Sequence, residues 1–230
     1  GGVILTCGDY AHDTAMLKHF VPSVVENEVP VMNPTMDVEG NYTATGDGHK
    51  MAAWAGVALQ QWHAPMIHHM GGGAGIGGRG VIGNNGYLWL NLAGKRFMNE
   101  DLPGQQLENQ LEKQPGHMAY QFFDAAWPEQ LQYFPAAHGT ACYYRDEPLP
   151  DYTANGLKIS VRCPQDIQDG IDSGQCMTAD TIEELLAQLD GIDVETAKAS
   201  IERYNELCDG GFDLDFGKSA QRLFGLTTPP

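Results

Sequence analysis

Two stretches near the end of the chain have apolar residues at helical spacing, and they predict the most regular part of the fold. The first begins at Thr181, which can form a capping box with Glu184. The second begins after Asp193, a favoured N-cap residue, and ends at Gly210 and Gly211. We therefore expect two helices in tandem, with apolar stripes formed by Ile182, Leu185, Leu186 and Leu189 in the first and by Ala197, Ile201, Tyr204 and Leu207 in the second.

Shorter patterns in the middle of the chain predict strands that alternate with short helices. Residues 87–92 form an aromatic and aliphatic run that is typical of a strand, followed by a turn at residues 91–96. A second strand is expected at residues 118–123, and a short helix at residues 128–134. Residues 139–174 show no clear period and predict an irregular excursion. This alternation favours a mixed α/β fold.

The first part of the chain combines a short apolar run with a glycine-rich turn. Residues 3–5 predict a buried strand that leaves a sheet, and Asp9 or Asp13 could then start a short helix. Further on, Thr45, Gly46, Asp47 and Gly48, here called the TGDG turn, precede a segment with apolar residues at helical spacing. The turn thus leads into a helix N-terminus, which favours anions and polar ligands. The apolar residues on the predicted face are Met51, Trp54, Ala55 and Ala58.

Composition and charge exclude several classes of protein to which the chain could belong. With 230 residues, of which 42% are hydrophobic and 19% charged, the chain should form a packed core. A formal charge of -17 argues against nucleic acid and anionic membrane surfaces as partners, and no apolar run is long enough to insert into a membrane. The 5 cysteines show no CxxC spacing, so neither a disulfide framework nor a zinc site is expected.

The segment at residues 73–78 matches the dinucleotide fingerprint GxGxxG, but its surroundings are wrong for that function. The fingerprint needs a strand before it and a helix after it. Pro65 lies upstream, and Gly80, Gly83 and Gly86 oppose a helix downstream. A flexible lining loop is the favoured interpretation.

Three histidines, His63, His68 and His69, form the densest imidazole cluster. They could bind zinc, contact an anionic substrate or satisfy buried carbonyl groups. Their spacing is not that of a zinc site, so no metal is expected and an anion or substrate contact is favoured. A serine hydrolase is a weaker alternative because the sequence contains no GxSxG motif. Glu100 with Asp101, or Asp213 with Asp215, could act as acid and base, although neighbouring acids on turns are more often solvated caps.

Three segments, in this order and spacing, resemble the flavoproteins of the fumarate reductase/succinate dehydrogenase family. Later segments are similar to the capping domain of the same family: residues 119–124, the helix after Thr181, residues 203–205 and residues 213–216. The three segments that carry the resemblance are Val3-Ile4-Leu5-Thr6-Cys7-Gly8-Asp9, Thr45-Gly46-Asp47-Gly48-His49-Lys50-Met51-Ala52 and Asn91-Leu92-Ala93-Gly94-Lys95-Arg96-Phe97-Met98-Asn99-Glu100.

The resemblance implies an α/β fold in which an α+β capping domain is joined to a partial FAD-binding domain. Residues 1–84 would be the remnant of the FAD-binding domain with a substrate-lining loop, residues 85–225 the cap, and residues 226–230 a return linker. FAD would be the cofactor, and the TGDG turn would contact it. Flavin N5 would deliver a hydride to an activated C=C bond of an unsaturated acid or enone, and an electron-donor protein could feed the flavin.

The resemblance also assigns candidate substrate contacts. His68 falls where fumarate reductases carry a histidine that holds a substrate carboxylate. His69 is the fallback, because the register could slip by one residue in a loop. Either side chain would act as a hydrogen-bond donor.

The proton-delivery residues of the fumarate reductases are not matched in this chain. Their acid arginine falls on Gly104, and their glutamate and arginine relay falls on Gly80 and Gly83. Fumarate itself is therefore a doubtful substrate, and another group must supply the proton. Arg79 and Tyr87 are the candidates.

The family's nucleotide fingerprint and its C-terminal FAD segment are not found in this sequence. We therefore expect a trimmed piece of a longer enzyme that does not hold FAD tightly alone. The rival hypothesis is a binding module that uses the cap scaffold to hold an anion or small molecule without redox chemistry. The compartment is not determined by the sequence, and the resemblance favours a bacterial cell-envelope location over the cytoplasm.

Overall fold

The computed structural model describes residues 1–26, 36–60, 80–102, 104–111, 113–136, 140–149 and 160–229. The chain divides into two compact units, Gly1–His69 and Met70–Pro230. Helices and strands alternate along it, which confirms the mixed α/β character. Compactness alone does not identify a cap, so the functional division at residues 84 and 225 stays a prediction.

The first unit contains three helices in its described part: α1 (Thr14–Phe20), α2 (Pro22–Glu26) and α3 (Asp47–Trp54). Asp13 is the N-cap of α1, and its carboxylate accepts the backbone N–H of Met16 at 2.8 Å. The prediction that an aspartate starts a helix here is therefore confirmed, and α3 begins at the TGDG turn as expected.

The apolar face predicted for α3 is not the buried one. Met51 is 50% exposed and Trp54 81% exposed, whereas Gly48 and Ala52 are buried. A Cβ added to Gly48 would lie 3.0 Å from the Cβ of Cys7. The helix thus packs through its smallest residues, because only they allow so close an approach to the N-terminal segment.

The buried strand predicted at residues 3–5 does not form. Val3 is 87% exposed and Ile4 88% exposed, and no strand is assigned there. A strand is stable only beside another whose backbone it can pair with. In the described part of the first unit, the β pairing is a single bridge between Met36 and Tyr42.

The second unit is built around a two-stranded antiparallel sheet. Strand β1 (Leu88–Asn91) pairs with β2 (Ala119–Phe122) so that Leu88 lies opposite Phe122. Both strands fall within the predicted ranges. The predicted turn follows β1, where the N–H of Gly94 donates to the carbonyl of Asn91 at 2.8 Å.

Helices surround this sheet. A second pair of short strands, β3 (Tyr143–Tyr144) and β4 (Val161–Arg162), runs parallel. Their bounds lie inside the region predicted to be an irregular excursion, as does one of the helices. The further elements are α4 (Gly104–Leu111), α5 (Trp127–Gln130), β3 (Tyr143–Tyr144), β4 (Val161–Arg162), α6 (Pro164–Asp172), α7 (Ile182–Leu186) and α8 (Val194–Gly210), with 3-10 turns at Pro115–His117, Leu131–Tyr133 and Ala220–Arg222.

The two C-terminal helices have the predicted caps. Thr181 accepts the N–H of Glu184 at 3.2 Å, and Asp193 accepts that of Thr196 at 2.9 Å. Helix α8 ends at Gly211, whose φ of 71° is the left-handed conformation of a C-cap glycine. The four residues of the predicted α8 stripe are all buried: Ala197, Ile201, Tyr204 and Leu207.

Strand β1 lies at the centre of the second unit because both of its faces are covered. Leu88 and Leu90 pack into the cluster that contains the apolar residues of α7 and α8. Trp89, on the other face, packs against Leu107 and Leu111 of α4. Among the helices of the described ranges, none combines the length and apolarity that crossing a membrane requires.

Candidate functional site

The TGDG turn is held in place by contacts within the first unit. The N–H of Gly46 donates to the carbonyl of Asp9 at 2.9 Å. The Nζ of Lys50 donates to the carbonyl of Thr45 at 2.8 Å and pairs with the carboxylate of Asp13 at 2.6 Å. The hydrogen bond from Lys50 lowers the pKa of Asp13. One lysine thus ties the turn to the start of α1.

Glycine is required at Gly46 for two reasons. Its φ is 74°, in the left-handed region, and an added Cβ would collide with the Sδ of Met16 and lie 3.0 Å from the Cβ of Tyr10. Gly46 also has no side chain with which to cap α3, so no capping group blocks the positive end of that helix. Asp47, in the first turn, is exposed. A polar ligand group can therefore approach the backbone there.

A buried cluster of charged side chains organises the second unit. The guanidinium of Arg96 donates from Nε to Glu100 Oε1 at 2.8 Å and from Nη2 to Glu100 Oε2 at 2.8 Å. It also donates to Asp213 Oδ2 at 2.9 Å. Its Cζ lies 4.9 Å from the ring centroids of both Tyr204 and Phe216. We call Arg96, Glu100, Asp213 and Lys218 the ion cluster.

Lys218 completes the ion cluster from the segment after α8. Its side chain is fully buried, and Nζ lies 2.9 Å from the hydroxyl of Tyr204 and 3.5 Å from Glu100 Oε2. Burial lowers the pKa of Lys218, although Glu100 opposes the shift. For Asp213, burial would raise the pKa, but the hydrogen bonds from Arg96 outweigh it and the pKa is well below its usual value.

The cluster attaches the segment after β1 to the segment after α8. Asn99 Nδ2 donates to the carbonyl of Gly217 at 3.1 Å. Asp101 accepts the N–H of Ser219 at 3.0 Å and the Nε of Arg222 at 2.8 Å. Residues 99–101 therefore have a fixed position, because three consecutive side chains bind the same distant segment.

Most predicted substrate and proton-transfer residues lie outside the described residues. This applies to His68, His69 and Arg79, and also to the glycine segment at residues 73–78. Tyr87 is described, and it lies in an aromatic core, 1% exposed, with its hydroxyl 3.5 Å from the carbonyl of Trp127. Burial raises the pKa of Tyr87 further. The position gives this side chain a packing role and disfavours proton transfer, and its catalytic role stays a prediction.

The structure shows where the three glycines aligned with the family's proton-delivery residues lie. Gly104 begins α4. Gly83 has a φ of 80°, and its carbonyl accepts the Nε2 of Gln121 at 3.1 Å. A Cβ on Gly80 would lie 2.8 Å from the Oε1 of Gln121. None of these three positions in the described structure offers a side chain for acid chemistry.

A cavity of about 580 Å³ opens in the second unit, and the sequence did not predict it. It lies between β2, α6, α7 and residues 226–229. The sequence did not indicate the cavity because α6, which forms part of the wall, lies in the region that was predicted to be irregular. Much of its wall is apolar and includes Val81, Trp89, Phe123, Ile171, Ala179 and Leu185.

A conformational outlier also lies at this cavity. His117 lines it with a φ of 52°, the left-handed conformation that residues other than glycine seldom adopt. Within the described ranges, no group of three His, Cys, Asp or Glu side chains is arranged to hold a metal ion.

The family described as FAD binding domain matches residues 1–230. The chain belongs to this family of flavoproteins, whose cofactor is FAD and which includes relatives of the fumarate reductase type. A 3-oxosteroid 1-dehydrogenase of Mycobacterium tuberculosis is 28% identical over 97% of this chain. A fumarate reductase (cytochrome) of Shewanella frigidimarina is 25% identical over 93% of it.

The chain spans 36% of the length of the mycobacterial relative and 30% of that of the Shewanella relative. Among solved structures, a 3-ketosteroid-Δ4-(5α)-dehydrogenase from Rhodococcus jostii in complex with 4-androstene-3,17-dione matches 99% of this chain and 37% of its own. The TM-score is 0.59 at 18% identity, which establishes similarity of fold.

The residues of the first unit fit a role in binding FAD. A cofactor that carries polar ring edges and phosphates needs backbone N–H groups that no side chain obstructs. At the start of α3 Gly46 carries no capping side chain, so the N–H groups of the first turn of α3 meet this need, and the bond from Lys50 to Thr45 fixes the turn. The TGDG turn therefore fits a contact with the cofactor, and that role stays a prediction.

Proposed function

We propose that this chain is part of a longer FAD-dependent oxidoreductase that acts on a carbon-carbon bond conjugated to a carbonyl group. The observation that carries the proposal is the family match over residues 1–230. The names of two relatives point the same way, because fumarate and a 3-oxosteroid both carry a carbonyl group. We propose reduction of an activated C=C bond as the direction of the reaction.

The residues of this chain would bind the cofactor, orient the substrate and shield the reacting groups from water. When bound, FAD supplies the hydride chemistry. The TGDG turn would hold the cofactor, and residues 85–225 would form the cap that excludes water from the reacting groups. The fixed geometry of residues 99–101 supports a rigid cap.

We propose His68 and His69 as donors to the substrate carbonyl or carboxylate, with Arg79 as the group that delivers the proton. The basis for His68 is its family position, counted along the sequence from the TGDG turn, with His69 one residue further on. Arg79 is proposed because the family's proton-delivery positions are glycines in this chain. Tyr87 is the alternative proton donor, and its burial makes it the weaker choice.

The rival function is a binding module without redox chemistry. The cavity in the second unit favours it, because a ligand could bind there without any flavin. The two proposals differ in whether the complete protein retains FAD and whether that flavin can be reduced and reoxidised.

The direct test is to purify the longer protein and measure its flavin content and the reoxidation of its reduced flavin by a panel of enones and unsaturated acids. We expect stoichiometric FAD and at least one acceptor, and His68→Ala or His69→Ala should slow that acceptor. His19→Ala, an exposed histidine in the last turn of α1, is the matched control and should leave the rate unchanged. Absence of bound flavin would overturn the proposal, and unchanged rates in both histidine variants would overturn the substrate-site assignment.

We also propose that a separate protein supplies electrons to the flavin and that the enzyme lies in the cell envelope. The family resemblance supports an electron-donor protein and a cell-envelope location. Fractionation of the source cells, with immunodetection of the protein, tests the second. Detection in the cytoplasmic fraction alone would contradict it.

A further inference from the structure

We propose that the cavity of the second unit binds a neutral, apolar ring molecule and discriminates against carboxylates. The inference rests on the proposed function in one respect: if the bound molecule is the substrate, that substrate is an enone and not an unsaturated acid. The binding site itself requires no flavin.

The size of the cavity suits a molecule of several fused rings. Its volume of about 580 Å³ lies within the range of about 300 to 1,000 Å³ that is typical of small-molecule sites. Trp89 and Phe123 provide flat aromatic surfaces, and Val81, Ile171 and Leu185 provide aliphatic ones. Rigid rings bury much apolar area on such walls and lose little conformational freedom.

The charges around the cavity oppose an anion. Asp124 and Asp180 line it, and no lysine or arginine does among the described residues. The basic side chain in the lining is that of His117. The carboxylate of Asp124 is held in place at the wall, because its Oδ2 accepts the N–H groups of Thr227 and Thr228 at 3.1 and 3.0 Å. A carboxylate in the cavity would therefore meet two like charges.

The left-handed backbone of His117 supports the assignment. A residue other than glycine in this conformation costs free energy, and such residues cluster at ligand sites. His117 ends the 3-10 turn, two residues before β2 begins, so this unusual backbone conformation lies close to the strand that lines the cavity.

The experiment compares two molecules that differ in one group. The 230-residue chain is dialysed to equilibrium against 4-androstene-3,17-dione or against 3-oxo-4-androstene-17-carboxylic acid, and the bound ligand is quantified by chromatography. We expect the neutral dione to bind about tenfold more tightly than the acid. Equal binding, or tighter binding of the acid, would overturn the charge argument.

Two variants locate the site. Ala179→Trp places a large side chain in the half-buried wall and should weaken dione binding at least tenfold, whereas Ala187→Trp, on the exposed side of the same region, should not. Asp180→Asn should narrow the difference between dione and acid, and Asp172→Asn, which is exposed and outside the lining, should not. Circular dichroism shows whether each variant is folded. If Ala179→Trp is folded and binds the dione normally, the cavity is not the site.

The outcomes separate this inference from the proposed function. If the dione binds in the cavity but no acceptor reoxidises the flavin of the longer protein, the proposed function fails and the binding site stands. If an enone reoxidises the flavin and Ala179→Trp changes neither binding nor rate, the cavity inference fails and the proposed function stands.

Discussion

The carboxylate of Asp213 lies 2.9 Å from the Nη2 of Arg96, although 117 residues separate them along the chain. Arg96 simultaneously forms a bidentate pair with Glu100, so one guanidinium binds two buried carboxylates. This contact joins the turn region after β1 to the loop after α8. We regard it as the main polar contact that fixes these two segments of the second unit relative to each other.

Replacement of Arg96 tests this link. Arg96→Met should lower the free energy of unfolding by about 3 to 5 kcal/mol, because it leaves Glu100 and Asp213 buried without their partner. Urea unfolding of the chain, followed by far-UV circular dichroism, measures the change. Arg203→Met is the matched control, since its pair with Asp215 is solvent-exposed and its loss should have little effect. Similar losses in the two variants would contradict the assigned role.

Acid should weaken the same link. The pKa of Asp213 in the folded chain lies below its ordinary value of 3.8, so its stabilisation is fully present above that value and is lost as pH falls through the folded pKa. Stability curves between about pH 7 and pH 3 should fall less steeply at the acidic end for Asp213→Asn than for the unaltered chain. Parallel curves would show that Asp213 does not contribute to acid unfolding.

The turn after β1 makes a close contact with α8 that tolerates no side chain. A Cβ on Gly94, which has a φ of 70°, would lie 2.6 Å from the carbonyl oxygen of Asp193 and 2.5 Å from the backbone N of Ala197. Gly94→Ala should therefore destabilise the chain by about 2 to 4 kcal/mol.

Gly191→Ala is the control for this contact. Gly191 has a φ of 72° but no atom within 4 Å of an added Cβ, so the change should cost about 1 to 2 kcal/mol from the backbone alone. Thermal and urea unfolding give both values. Equal effects would show that the close approach of the turn to α8 has no energetic weight.

The TGDG turn can be tested through cofactor content. In the longer protein, Gly46→Ala should reduce bound FAD, because the new Cβ collides with Met16 and displaces the turn. Gly56→Ala also changes a glycine with positive φ but meets nothing within 4 Å, and it should leave the flavin content unchanged. The measurement is the ratio of flavin to protein absorbance. Normal flavin in Gly46→Ala would exclude the turn from the cofactor site.

The elements predicted most accurately are those whose determinants are local. Helix α8 has its cap at Asp193, its stripe and its terminal glycine within one continuous segment, and all three appear as expected. The prediction of a strand at residues 3–5 was wrong, because a strand depends on a pairing partner that a local sequence pattern does not contain. The prediction of the buried face of α3 was wrong for a similar reason, since Gly48 on that face packs against the distant residue Cys7.

The candidate site could be predicted only in part. The family resemblance located the TGDG turn and the segment that ends at Glu100. The burial of Lys218 could not be predicted, because a lysine is normally exposed and this one depends on Tyr204 and Glu100. The cavity was missed because its walls come from β2, α6, α7 and residues 226–229, which meet only after folding.

We propose that the longer protein uses bound FAD to act on a carbon-carbon bond beside a carbonyl group. The decisive measurement is anaerobic stopped-flow absorbance of the longer protein, with its flavin chemically reduced and then mixed with an enone. We expect a saturable return of the oxidised flavin spectrum together with one saturated product per flavin. A flavin that stays reduced with every enone and unsaturated acid in the panel would rule this function out.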